Sequence, residues 1–198
     1  MKILVTAFEP FGTIKTNSSL EVVNKIISKH ELKKVILPVK LNTSYEILQQ
    51  EIMKFNPEII ILCGQAASRK VISIETTARN LITKKVSLED EVDLNNSSII
   101  ENNSSIIENN TTSYYSKFLV EEALSRLVSL NIPAELSADA GEYICNALYF
   151  KTMHYHQNIP SVFIHFPLFK GQIEDENLNS NIELDVLIKG LEEIINML

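Results

Sequence analysis

Short runs rich in Ile and Val alternate along this chain with longer segments in which apolar residues recur at helical spacing. The Ile- and Val-rich runs are nearly continuous in apolar residues, which is typical of strands buried on both faces of a parallel sheet. The longer segments have the period of amphipathic helices. This alternation predicts βαβ units. The predicted strands cover 2–8, 34–39, 58–63 and 161–166, and the predicted helices cover 19–30, 44–55, 114–130 and 180–197, with another beginning near Gly141.

The length and composition are those of one globular domain. A chain of 198 residues suits a single domain, since domains commonly contain about 100–200 residues. Apolar residues make up 45% of the chain and charged residues 22%, a balance that excludes disordered, collagenous and coiled-coil classes. We therefore expect residues 1–198 to form a single α/β domain of three layers, with a mostly parallel, twisted central sheet and helices on both faces.

The middle of the chain contains a tandem duplication. Residues 95–101 read NNSSIIE, residues 102–108 repeat that segment, and NNTT follows. Two copies of so short a unit cannot build a solenoid, and the run ends too soon for a coiled coil. We interpret about 95–112 as a low-complexity insertion tolerated in a surface loop or β-hairpin, without a catalytic role.

The charge and the short apolar runs exclude several classes of partner. A formal net charge of −7 makes nucleic acid and anionic membranes poor partners. The longest apolar run, 59–63, is far shorter than the roughly 20 residues that span a bilayer, and the apolar N-terminal stretch is too short for a signal peptide. We therefore expect a soluble, cytoplasmic protein in which Cys63 and Cys145 are free thiols.

Cys145 is the first candidate for chemistry. Its segment SADAGEYICNALY (137–149) passes from a turn of small residues into an apolar helical pattern, which places the sulfur near a helix N-terminus. A helix N-terminus favours the thiolate and can bind an oxyanion, so this position suits a nucleophile with a lowered pKa. The alternative is an inert core cysteine, the interpretation we favour for Cys63 at the end of an Ile-rich strand.

Two further residues complete a candidate set of nucleophile, base and orienter. His165 lies at the carboxyl end of the predicted strand 161–166, where open α/β sheets assemble their sites; the alternative is a buried structural histidine. Glu75 lies in a β-branched stretch, where it needs a partner unless it faces solvent at a sheet edge. A carboxylate bonded to an imidazole fixes its tautomer. The other histidines, which no ligand set with metal-binding spacing accompanies, are interpreted as solvated or surface residues: His30, His154 and His156.

Five short segments stand in a characteristic order and spacing along nearly the whole chain. They are VTAFEPFG (5–12), LPV (37–39), GQAASR (64–69) with Glu75, Ala78 and Asn80 beyond it, AG (140–141) through Cys145 and Asn146, and FIHFP (163–167). Each segment alone is a moderately specific sign of a protein family, and the five together, in this order and spacing, are strong evidence for one. They resemble the pyroglutamyl peptidase I family, also called the pyrrolidone-carboxylate peptidases, a family of cysteine peptidases.

The resemblance implies an activity and assigns its catalytic residues. It implies hydrolytic removal of N-terminal pyroglutamyl residues from peptides through an acyl-enzyme. Cys145 takes the role of the nucleophile, His165 that of the general base, and Glu75 that of its orienter. The resemblance also implies a homotetramer, peptide substrates, and no metal or other cofactor.

The residues expected to bind the substrate follow from the same resemblance. Pyroglutamate is a neutral lactam, so its pocket can be apolar, and discrimination should come from hydrogen bonds to the lactam. The resemblance places Phe11 and Tyr143 on either side of the ring and the backbone around Gln65 and Ile144 near it. Phe8 supplies a further wall. The alternative is that the two phenylalanines are simply core residues after the first strand.

The chain departs from the family pattern at several positions. Glu142 stands where the family tends to have Thr, and a carboxylate there can raise the pKa of the Cys145 thiol by like-charge repulsion. Only Lys84 or Lys85 lies near the place of the family's basic residue, usually Arg in an Ala-Arg stretch. Glycine is usual in the family where this chain has Thr13, Ala67 and Ser68.

Two alternative functions remain. The departures just described motivate a catalytically weakened homologue that binds pyroglutamyl peptides. A nucleotide-binding α/β protein is disfavoured, because the chain contains no glycine-rich phosphate loop.

Overall fold

The computed structural model describes residues 1–82, 105–108, 110–175, 177 and 179–198. These residues form eight strands and five helices. The strands are β1 (Lys2–Phe8), β2 (Glu31–Leu37), β3 (Ile59–Gln65), β4 (Ile72–Glu75), β5 (Thr77–Arg79), β6 (Ser113–Tyr115), β7 (Ala134–Ser137) and β8 (Ser161–Phe166). The helices are α1 (Ser18–Lys25), α2 (Leu41–Phe55), α3 (Val120–Ser129), α4 (Ile144–Tyr155) and α5 (Leu184–Asn196).

Six strands form one sheet in the order β2-β1-β3-β8-β4-β7. Strands β1, β2, β3 and β8 run parallel, whereas β4 pairs antiparallel with β8 and parallel with β7. Every residue of β3 and β8 is buried, as expected of strands covered on both faces. Strands β5 and β6 form a separate antiparallel pair. The predicted mostly parallel α/β sheet is therefore confirmed.

The two faces of the sheet carry separate hydrophobic cores. Along β1, Ile3 and Val5 point into the core shared with α1, α3 and α5, while Leu4 points into the core shared with α2 and α4. This alternation follows from the two-residue period of a strand. Helices therefore cover both faces, and the three-layer prediction is confirmed.

Several predicted elements have different bounds in the structure. The predicted helix 114–130 is wrong at its start, because the Tyr pair at 114–115 pairs in strand β6 and the helix begins only at Val120. Strand β7 was not predicted, because a four-residue, mostly half-exposed strand at a sheet edge gives no clear apolar alternation. The other differences are smaller: α1 ends at Lys25, α2 begins at Leu41, α5 begins at Leu184 and β2 covers Glu31–Leu37.

The low-complexity insertion lies between the two strands of the small sheet. Residues 95–104 and 109 fall outside the described residues. Residues 105–108 and 110–112 form no helix or strand, and the Asn80 side chain holds the backbone N–H and C=O of Ile107 at 2.9 and 2.8 Å. Throughout the described part of the chain, no helix has both the length and the hydropathy needed to cross a membrane.

Candidate active site

The pairing of β4 with β8 brings Glu75 and His165 together. Ser73 lies directly opposite His165, so Glu75, two residues further along β4, is its diagonal neighbour on the same face of the sheet. Glu75 Oε1 accepts a hydrogen bond from His165 Nδ1 at 2.8 Å. Both side chains are buried. This bond fixes the imidazole tautomer and leaves Nε2 as the nitrogen able to accept a proton.

Arg69 gives the buried Glu75 carboxylate a positive neighbour. Its Nη2 lies 3.6 Å from Glu75 Oε1. The same nitrogen donates to Ser137 Oγ at 3.0 Å and to the Asp139 carbonyl oxygen at 2.9 Å. A buried carboxylate needs such compensation, because burying an unpaired charge is costly. The sequence analysis assigned no role to Arg69, although it ends the GQAASR segment.

Cys145 is the second residue of helix α4, as the sequence predicts. The side chain of the N-cap residue Tyr143 makes no capping hydrogen bond, and the first intrahelical bond runs from the Ala147 N–H to the Tyr143 carbonyl. The first-turn N–H groups before Ala147 therefore have no intrahelical acceptor. They are available to a negative charge that develops near the Cys145 sulfur.

Gly64 allows the thiol to lie against the sheet. In the β3–β8 pairing Gly64 stands directly opposite His165. A Cβ atom at Gly64 would lie 3.0 Å from Cys145 Sγ and 2.9 Å from the Phe163 ring, closer than packed atoms allow. Only glycine therefore fits at this position, and the Cys145 sulfur lies over the residue that neighbours His165.

The electrostatics of the thiol differ from the prediction. Burial, followed by the negative charge of Glu75, raises the pKa of Cys145 to about 12, while a hydrogen bond from its own backbone N–H acts in the opposite direction. The predicted lowering by the helix N-terminus was wrong, because desolvation and the carboxylate outweigh it. Glu142, predicted to repel the thiolate, lies 3.8 Å from Arg79 instead, and the repelling charge is that of Glu75.

One pocket of about 310 Å³ opens beside Cys145 at the carboxyl ends of the parallel strands. All five residues expected to contact the substrate lie in its wall. Phe8 is a core residue that also lines the pocket, whereas Phe11 and Tyr143 are 39% and 40% exposed and flank its opening. Asn17 and Val39 join the wall without having been predicted there. The lining residues are Phe8, Phe11, Asn17, Val39, Gln65, Tyr143, Ile144 and Cys145.

Arg79 is a second functional candidate that the sequence analysis missed. Its guanidinium pairs with Asp139 and lies near Glu142. The Asn146 side chain, adjacent to Cys145, bonds the backbone N–H and C=O of Arg79 at 2.9 and 2.8 Å and so fastens α4 to β5. Arg79 directly follows Ala78, so the Ala-Arg pair of the family is present in the sequence. Lys84 and Lys85, considered for this place, lie outside the described residues.

The remaining histidines lie away from this site. His154 was interpreted as a surface residue, but it is half-buried, and its Nδ1 lies 2.8 Å from the Tyr114 hydroxyl. His30 is also half-buried, and burial lowers the pKa of its imidazole. Among the residues that the structure describes, no group of three His, Cys, Asp or Glu side chains is arranged to hold a metal ion. Cys63 is fully buried in the core, as predicted.

A thiol at a helix N-terminus, a buried carboxylate–imidazole pair and an apolar pocket are the groups that a cysteine-type hydrolase uses, and here an α/β fold carries all three. The sequence profile of the family described as "Pyroglutamyl peptidase" matches residues 1–198. The chain belongs to the pyroglutamyl peptidase family, which confirms the resemblance seen in the sequence.

Individual members of the family show the same agreement. The pyrrolidone-carboxylate peptidase of Thermosipho melanesiensis is 32% identical, over 96% of this chain and 95% of that protein. A mutant pyrrolidone carboxyl peptidase from Pyrococcus furiosus superposes with a TM-score of 0.86 at 26% identity, covering 98% of this chain and 96% of that one. The structure of pyroglutamyl peptidase I from Bacillus amyloliquefaciens superposes with a TM-score of 0.84 at 27% identity, covering 98% of this chain and 92% of that one. The similarity therefore extends over the whole chain.

Proposed function

We propose that this protein hydrolyses the bond after an N-terminal pyroglutamyl residue of a peptide. Cys145 is the nucleophile, His165 the general base and Glu75 the group that orients the base. Family membership supports the substrate class and the reaction. The observation that carries the residue roles is the pocket whose wall contains Cys145, together with the hydrogen-bonded pair of His165 on β8 and Glu75 on β4.

The pocket suits a small neutral ring. It is small: its empty space, counted together with the solvent at its open mouth, is about 310 Å³. Its wall is mostly apolar, with Phe11 and Tyr143 at the opening, and its side-chain amides come from Asn17 and Gln65. Among the residues that the structure describes, no carboxylate lines it, so an ordinary N-terminal ammonium would lose its hydration there without gaining a charged partner. A lactam carries no such charge.

The reaction proceeds through a thioester. The Cys145 thiol proton passes to His165 Nε2 while the sulfur attacks the pyroglutamyl carbonyl carbon, and the carbonyl π electrons move to the oxygen. N–H groups at the start of α4 stabilise this oxyanion. Its collapse breaks the C–N bond, and the leaving amine takes the proton from His165. Water, deprotonated by His165, then attacks the thioester, releasing 5-oxoproline and returning the proton to the sulfur.

The raised pKa of Cys145 determines when the thiolate forms. A thiol with a pKa of about 12 is protonated at neutral pH, so proton transfer has to accompany attack. Glu75 opposes a free thiolate but stabilises the imidazolium that forms when His165 takes the proton. The same carboxylate therefore suppresses the resting nucleophile and supports the reacting one.

A second candidate function is binding of pyroglutamyl peptides without turnover. The feature that favours it is the raised pKa of Cys145, because a thiol that is protonated at rest reacts only if a base takes its proton during the attack. This alternative predicts lactam binding in the same pocket, with no product.

Hydrolysis of a fluorogenic pyroglutamyl amide under reducing conditions tests the proposal. An amide bearing unblocked Glu serves as the substrate control, and Cys63→Ser is the matched control for Cys145→Ser. We expect the parent and Cys63→Ser to cleave only the pyroglutamyl amide, and Cys145→Ser to lose at least about a thousandfold in kcat/KM. Folded, reduced parent protein that turns over neither amide would overturn the proposal and favour the binding function.

We also propose a homotetramer, on the strength of the family resemblance. Light scattering on the purified chain measures its assembly directly. A mass equal to one protomer at micromolar concentration would contradict this proposal without affecting the site.

A further inference from the structure

The side-chain amide of Gln65 is held in one orientation. Its Oε1 accepts two hydrogen bonds, from the Ser18 backbone N–H at 2.8 Å and from Gln172 Nε2 at 2.7 Å. Ser18 is the first residue of α1, so its N–H has no acceptor within the helix. A backbone N–H can only donate, and this fixes which end of the Gln65 amide is oxygen.

The orientation of Gln172 is fixed in the same way. Its Oε1 accepts a hydrogen bond from the Phe169 backbone N–H at 3.1 Å, so its Nε2 is the end that faces Gln65. This nitrogen also lies 3.5 Å from the Thr16 carbonyl oxygen. Two backbone N–H groups, of Ser18 and Phe169, therefore set the orientation of the two side-chain amides that are hydrogen-bonded to each other.

The Gln65 side chain keeps one hydrogen-bond donor, Nε2, that this network does not use. Gln65 lines the pocket that contains Cys145, and within the described residues its Nε2 has no hydrogen-bond acceptor. Gln172 lies outside that pocket, in the neighbouring groove formed by 13–16 and 171–174. Gln172 can therefore influence a ring bound in the Cys145 pocket through the Gln65 amide that it orients.

We propose that Gln172 is a positioning residue for substrate specificity, which holds Gln65 so that Nε2 donates a hydrogen bond to the lactam carbonyl oxygen. The inference rests on the proposed function. It predicts that the chain rejects an N-terminal proline, which has the same ring without this oxygen. A prolyl substrate would leave the donor unpaired and bring its ammonium against the Gln65 amide hydrogens.

Three substitutions of Gln172 separate this role from a general packing role. Gln172→Lys keeps a donor for Gln65 Oε1, Gln172→Leu removes it, and Gln172→Glu places an oxygen against that oxygen and drives the Gln65 amide to rotate. Glu174→Gln, an exposed change in the same loop, is the control. Thermal unfolding of each variant confirms that it is folded.

Two measurements are made on every variant: KM and kcat for the pyroglutamyl amide, and the Kd of 2-pyrrolidone, the bare lactam, by NMR titration. We expect Gln172→Leu to raise both KM and Kd about tenfold with kcat nearly unchanged, and Gln172→Glu to raise them further. Gln172→Lys and Glu174→Gln should stay near the parent. Equal weakening in all three Gln172 variants, or none in any, would overturn the inference.

The two measurements separate this inference from the proposed function. Parent protein that binds 2-pyrrolidone in a Gln172-dependent way without turnover would refute the peptidase proposal and uphold the inference. Turnover with lactam binding that is the same in Gln172→Leu and the parent would do the reverse. Parent protein that neither turns over the amide nor binds the lactam would refute both.

Discussion

Cys63 and Cys145 share one electrostatic property and differ in their surroundings: burial raises the pKa of both thiols. Cys63 lies inside β3 among aliphatic side chains of the core. Cys145 lies at the start of α4, in the wall of a pocket and over the glycine that neighbours His165. The comparison teaches that a low resting pKa is not what sets Cys145, the proposed nucleophile, apart from Cys63. The distinguishing features are a base that can take the proton and a space for the substrate.

Replacing the charge of Glu75 should separate thiol acidity from activity. Glu75→Gln keeps the size of the side chain but removes the negative charge that supports imidazolium on His165 and raises the pKa of Cys145. We expect kcat to fall about a thousandfold while the pKa of the thiol falls. Steady-state kinetics and the pH dependence of alkylation measure the two effects. A rise in kcat together with the lower pKa would show that resting thiolate limits the reaction.

Adding a side chain at Gly64 should disturb the position of the Cys145 thiol and so lower kcat. In Gly64→Ala the new Cβ would meet Cys145 Sγ and the Phe163 ring, so the thiol, the ring or the backbone between them has to shift. We expect kcat to fall about a hundredfold. Ala67→Gly, an exposed change after the same strand, is the control and should keep the parent kcat. An unchanged kcat in Gly64→Ala would show that the sulfur does not react from this position.

The pH dependence of alkylation should distinguish Cys145 from a cysteine with preformed thiolate. Because its pKa is raised to about 12, the thiolate fraction grows with pH throughout the accessible range. We expect the rate of alkylation of Cys145 by iodoacetamide to rise about tenfold per pH unit between about pH 7 and pH 10. Peptide mapping by mass spectrometry follows Cys145 alone. A rate that levels off below about pH 8 would indicate a thiolate–imidazolium pair and contradict the raised pKa.

Removing the cation beside Glu75 should cost stability. Arg69→Met leaves the buried carboxylate without the guanidinium 3.6 Å from Oε1 and deprives Ser137 of a donor. Because Arg69 is partly exposed, we expect a loss of about 2 kcal/mol in the free energy of unfolding, below the usual cost of breaking a fully buried pair. Arg69→Lys should recover part of it. Urea denaturation measures all three proteins, and equal stability would show that the ion pair contributes nothing.

The smallest expected effect belongs to the other cysteine. Cys63→Ala removes a buried sulfur from β3 and leaves the pocket untouched. We expect about 1 kcal/mol of destabilisation and a kcat within about twofold of the parent. Urea denaturation and steady-state kinetics measure the two quantities. A large loss of kcat in a stably folded variant would break the contrast between the two cysteines.

The sequence predicts those parts of the site that single elements position. Cys145 follows from a helix start and His165 from a strand end, because both depend on local pattern. The pKa of Cys145 could not be predicted, since it depends on burial and on Glu75, 70 positions away along the chain, as the difference of the two residue numbers shows. The bond between Gln65 and Gln172 joins residues 107 positions apart and leaves no local pattern.

Errors in the sequence analysis also have physical reasons. The helix predicted from 114 ignored the strand preference of two adjacent tyrosines, which pair with β5 in the structure. Arg79 was overlooked because the basic residue was sought further along the chain, although Ala78 precedes it directly. The role of Arg69 could not be predicted from its local sequence, because it depends on the Glu75 carboxylate that the fold brings next to it.

Mass spectrometry of the intact protein during turnover tests the central claim most directly, which is that Cys145 forms the covalent intermediate. The parent is mixed with a pyroglutamyl ester and quenched in acid, and digestion then locates the added group. We predict a pyroglutamyl adduct on the peptide that contains Cys145, none on the peptide that contains Cys63, and accumulation when hydrolysis of the thioester is slow. Turnover without an adduct on Cys145, or with the adduct on Cys63, would contradict the account.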